Sequence, residues 1–110
     1  MTVAGCESLG IFGSSVGCDE LSSPKWKSLA NGERKDEANA IKRCGTLDGM
    51  TESEVESWMG RPIERSINVY NKNRIDSWLI GSSPENSDLP EISVEYGKDG
   101  KVSDVRITDY

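Results

Sequence analysis

The chain has 110 residues, 35% of them hydrophobic and 29% charged, with 13 basic and 19 acidic side chains and a formal net charge of −6. This describes one small domain with a modest core. The acidic balance argues against binding a phosphate backbone, and no apolar run nears the ~20 residues of a membrane span. His is absent, which removes the commonest general base and metal ligand and makes an enzyme the less expected reading.

In chain order, residues 1–24 are rich in Gly and Ser, lack helical or strand periodicity, and read as a flexible tether ahead of a single domain over 25–110. Within the tether, Val3-Ala4-Gly5-Cys6 matches the bacterial lipobox, in which small residues precede a Cys that carries the lipid anchor. Met1-Thr2 is too short to be the apolar segment that should precede it. Two readings stay open: a start just upstream of a lipobox with a Met added, or a chance match. If Cys6 is lipidated, Cys18 and Cys44 remain as an even pair. A disulfide between them would close a loop of about 26 residues, and free thiols are the other reading.

Trp26 and Leu29, near Pro24, mark the entry to the folded part. A helix from Asn31 or Gly32 through Glu33–Arg43 follows, with Ala38 and Ile41 inward and Gly45 past its end. The next helix, Glu52–Met59, has Thr51 and Glu54 as a capping box, Met50 and Val55 as a hydrophobic staple, and Gly60 and Pro62 as stop signals. Val55, Trp58 and Met59 share its apolar face.

Beyond Pro62 the period changes to 2. Strands are expected at Arg65–Tyr70 (Ile67 and Val69 on one face), Arg74–Ile80, Glu91–Tyr96 and Lys101–Ile107. Asn71–Asn73, the loop Gly81–Leu89 and the turn Gly97–Gly100 separate them. Two helices followed by three or four antiparallel strands give an α+β two-layer sandwich.

Residues 1–44 are electrically neutral, so the whole net charge of −6 lies in residues 45–110. That half reads mainly as solvated faces, with steering of a basic partner as the minority reading. Within it, Arg61 and Arg65 beside Pro62 form a small positive spot that would suit an acidic partner or a lipid headgroup if it is more than a solvated loop. Trp58 and Trp78 are expected as core anchors, with a half-exposed interface role as the other reading. No nucleophile–base pair, phosphate-binding Gly loop or metal-ligand spacing is found, so no catalytic residue, cofactor or metal is expected.

The stretch from Leu47 through Gly49-Met50-Thr51, Val55 and Trp58-Met59 to Gly60-Arg61-Pro62 resembles the signature of the SmpA/OmlA, or BamE-like, outer-membrane lipoproteins. Trp78-Leu79-Ile80, Ile92–Tyr96 and Asp99-Gly100-Lys101-Val102 extend the likeness over roughly residues 35–107. Trp58 and Met59 stand where that family usually carries Leu. The resemblance implies two helices on one sheet face, an envelope location, and lipid at Cys6. It also implies a protein-binding role in envelope assembly or integrity, without nucleic acid or a small-molecule substrate. The alternative is a secreted inhibitor or immunity-like module, by analogy with the related fold of the beta-lactamase inhibitor protein.

Overall fold

A computed structural model describes residues 16–81 and 90–108. Three helices, α1 (Ser23–Ser28), α2 (Lys35–Cys44) and α3 (Glu52–Met59), precede four strands, β1 (Glu64–Ile67), β2 (Arg74–Leu79), β3 (Glu91–Tyr96) and β4 (Val102–Thr108). The strands form one antiparallel sheet in the order β1-β2-β3-β4, and the helices cover one of its faces. The expected α+β class is the class observed.

The folded part begins earlier than expected, because residues 16–24 are built into it. Ser22 caps α1 by accepting from the Lys25 N–H, and Pro24 lies in the first turn. Trp26 is fully buried and donates its indole N–H to the Met59 carbonyl at 2.9 Å. Leu21 packs against the core and Val16 is buried, its carbonyl held by Arg43. Cys18 and Cys44 are joined in a disulfide that ties this segment to the end of α2. The Cys6 site lies outside the described residues.

A short 3-10 turn, Asn31–Glu33, takes the place of the expected first turn of α2. Gly45 ends α2 in the left-handed region at φ 64°. The capping box of α3 is present as read: Glu54 N–H to Thr51 Oγ1 at 3.2 Å, and Thr51 N–H to Glu54 Oε1 at 2.9 Å. Gly60 ends α3, as its place as a stop signal implies. It adopts φ 88° and ψ −174°, a region open essentially to Gly alone. Its carbonyl accepts from the Trp78 indole N–H at 3.1 Å.

Alternation sorts the sheet residues. Trp78, Ile92, Val94 and Tyr96 face the helices and meet Ala38, Ile41, Leu47, Val55 and Met59 in the core. Val102, Val105 and Ile107 of β4 pack at its margin. Ser77, Ser93 and Glu95 lie on the opposite, polar face, where the Ser77 and Ser93 hydroxyls pair at 3.0 Å. No described helix is long and apolar enough to cross a membrane.

Candidate functional site

Four large apolar side chains are exposed among the described residues: Ile63 (61%), Ile67 (57%), Val69 (71%) and Tyr70 (93%). All four lie on or beside β1, the outer strand of the sheet. The alternation expected for Arg65–Tyr70 therefore fails. The strand stops at Ile67, all four of its residues are exposed, and Val69 and Tyr70 belong to the following turn. Ile67 does sit on the helix side of the sheet, opposite Arg74. It stays uncovered because the space between β1 and α3 is taken by charge rather than by apolar side chains.

That space is a groove of about 570 Å³ lined by Glu52, Ser53, Glu56, Ser57, Arg65 and Arg74. Arg65 bonds Glu56 at 2.5 Å, and its Nε lies 3.4 Å from Asp76 Oδ1. Arg74 pairs with Glu52 at 2.8 Å. Asp76 is only 1% exposed. Its Oδ2 accepts the Tyr96 hydroxyl at 3.1 Å, while its Oδ1 has the ionic contact with Arg65 but no hydrogen bond. Burial pushes the Asp76 carboxyl up, against the opposing pull of the Tyr96 hydrogen bond and the Arg65 charge. The same burial, with Asp76 alongside, pushes the Tyr96 hydroxyl up. These groups fasten β1 to the helix layer. Sealed beneath Arg65 and Tyr96, Asp76 is not placed to meet a substrate.

On the other face the β1–β2 turn is latched to Glu95. Its carboxylate accepts from the side-chain amides of Asn73 at 2.9 Å, Asn71 at 3.0 Å and Asn68 at 3.4 Å, and pairs with Arg106 at 2.8 Å. The Asn73 and Asn71 hydrogen bonds hold Glu95 below the usual carboxylate range. Asn68 Oδ1 also accepts from the Tyr70 N–H at 2.9 Å, which fixes the turn that presents Tyr70 to solvent.

The residues singled out from sequence divide accordingly. Trp78, at 2% exposure, is a core anchor, so its interface reading is withdrawn. Arg65 is committed to Glu56 and Asp76. Arg61 is exposed and has no ion-pair partner among the described residues, at the rim of a hollow of about 260 Å³ that also includes Arg34, Pro62, Ile63 and Leu79. Arg61 and Arg65 line separate hollows, and the charge of Arg65 is met by Glu56 and Asp76. Trp58 is partly buried against the core. Sequence reasoning missed the apolar edge, since a period of 2 marks a face without showing whether another layer covers it. It also missed the Glu95 latch, although three Asn within residues 68–73 were a readable turn signal.

Among the described residues no cluster of His, Cys, Asp and Glu could hold a metal ion. The arrangement lends itself to binding: a backbone edge unpaired among the described residues, backed by ion pairs and bordered by apolar side chains, can accept another extended strand. No family model, curated protein or solved structure matches the chain.

Proposed function

We propose that this chain is a non-enzymatic protein-binding module of the cell envelope, anchored through lipid on Cys6 and engaging its partner at the β1 edge, in support of envelope assembly or integrity. The observation that carries the binding part is the gathering of Ile63, Ile67, Val69 and Tyr70 along one open strand edge. Scattered exposed apolar residues need no explanation, but a contiguous group beside free backbone donors and acceptors is an interaction surface. The Cys18–Cys44 disulfide supports an oxidising compartment outside the cytosol. A lipid anchor followed by a Gly/Ser-rich stretch would hold the module near its partner at high effective concentration.

Two measurements test this reading. Fatty-acid labelling of the full-length protein in cells is expected to disappear with Cys6→Ala, and absence of label from both forms would remove the anchor. A photo-crosslinking residue in place of Ile67 is expected to trap a protein partner, while one in place of exposed Ser53 on α3 is not. Equal trapping from both positions would remove β1 as the binding edge.

A further inference from the structure

We propose that the β1 edge is capped by β1 of a second copy of this chain, in an antiparallel two-fold register centred on Ser66. This rests on the reading of β1 as a binding edge and names its occupant.

The register follows from backbone parity. Asn68 N–H bonds the Asn73 carbonyl at 2.8 Å, in line with the pairing of Ser66 to Ile75 and Glu64 to Ser77. In an antiparallel ladder bonded and non-bonded positions alternate. Glu64, Ser66 and Asn68 therefore turn their backbone groups toward β2, and Arg65 and Ile67 turn theirs outward. A second β1 can bond to those groups only if its own Arg65 and Ile67 come opposite them, which leaves three two-fold registers.

Centring on Arg65 sets two guanidinium groups directly opposite each other, which is unfavourable. Centring on Ile67 drives the partner strand into the turn over residues 68–73. Centring on Ser66 pairs Arg65 with the second copy's Ile67, twice. It sets Glu64 against the second copy's Asn68. No like charges face each other in this register. The two Arg65 side chains, diagonal across the axis, are each already neutralised by Glu56 and Asp76.

Four residues of strand make a contact at the low end of specific interfaces, which suits a weak, reversible dimer. Self-pairing and capture of another strand then exclude each other, so protein concentration sets how much edge is open.

The test uses the full chain carrying Cys6→Ala, so that no native thiol outside the disulfide interferes. Across the axis Ser66 faces its own copy in a non-bonded pair, where Cα atoms lie about 4.5 Å apart, within disulfide reach. Ser66→Cys is expected to form a covalent dimer under mild oxidation at least tenfold faster than the control Ser53→Cys. Sedimentation velocity of the unsubstituted edge is expected to show a concentration-dependent monomer–dimer equilibrium. Ile67→Lys is expected to shift it to monomer with the unfolding midpoint unchanged. A chain that stays monomeric into the millimolar range, with Ser66→Cys crosslinking no faster than Ser53→Cys, overturns the dimer. If that monomer still traps a different protein from position 67, the partner-binding reading stands without it. If it traps none, both fall.

Discussion

The two outer strands of this sheet are built in opposite ways. β4 has seven residues and α2 packs over it, so that Val102, Val105 and Ile107 adjoin the core. Its polar face carries Asp104 and Arg106, which pair at 2.7 Å, and an irregularity at Glu95/Tyr96 breaks its register with β3. Charges and bulges of this kind protect an edge against another strand. β1 has four residues, all exposed, with Ile67 uncovered and Ile63, Val69 and Tyr70 beside it. Glu64 and Arg65 place charge on it, but Arg65 is drawn back onto Glu56 and Asp76, so its main protection is its shortness. The helix layer ends over β2, and the charged groove beside α3 holds β1 in place without covering it.

The contrast makes Trp78 a core residue beside the exposed β1 edge. Trp78→Ala is expected to destabilise the fold by about 3–5 kcal/mol through cavity formation, and it leaves the Gly60 carbonyl without its donor. A urea titration measures this, and a loss below about 1 kcal/mol would mean the side chain is not packed as described.

Opening the Cys18–Cys44 bridge, which spans 26 residues of sequence, is expected to cost roughly 3 kcal/mol by freeing the unfolded chain. The loss is read as a lower urea midpoint after reduction. Because the bridge ties down the α2 side, β1 binding should persist wherever the reduced chain stays folded. Loss of binding by a folded reduced chain would show that the edge depends on the N-terminal segment.

The edges themselves are compared by matched truncations. Ile107→Ala on β4 is expected to cost about 1–2 kcal/mol, against less than about 0.5 kcal/mol for Ile67→Ala on β1. Equal losses would mean that β1 is covered in solution, and a loss at Ile67 that grows with protein concentration would point to the second copy.

The smallest effects are expected from two carboxylates on opposite faces. Glu95 is held below its ordinary value of 4.5 in the folded chain, so its contribution is present above that pH and is lost as the pH falls through the folded value. Glu95→Gln should therefore be less stable than wild type at neutral pH, with the gap closing on acidification. Asp76 is raised above 3.8, so its contribution is full below that pH and is lost as the pH rises through the folded value. The stability of wild type relative to Asp76→Asn should accordingly decline from acid to neutral pH. Urea midpoints between about pH 3 and pH 7 give both signs, and slopes of the same sign would refute the assignment.

What could be read from sequence was local. Thr51, Glu54, Met50 and Gly60 bound α3 because caps and stops act within one turn of the chain. Glu91–Tyr96 alternates cleanly, and the structure places β3 over those same residues because both of its neighbours in the sheet are present. β1 runs Glu64–Ile67 rather than Arg65–Tyr70, and Ile67 and Val69 alternate like core residues yet are exposed, with no layer above them among the described residues. The N-terminal segment looked like a tether because Gly and Ser dominate it. The few groups that dock it, Val16, Cys18 and Leu21, act through α2 and the core, far along the chain.

The sequence by itself determined the α+β class, the position of α3 and, to within a residue, the positions of β2, β3 and β4, because caps, turns and hydrophobic period are properties of neighbouring residues. Only the tertiary structure decided that Cys18 meets Cys44, that Glu95 collects three asparagines and that Trp78 is sealed while Ile67 is not. Each of these depends on which segments distant in sequence come to lie against one another, and burial is a property of that packing rather than of any residue alone.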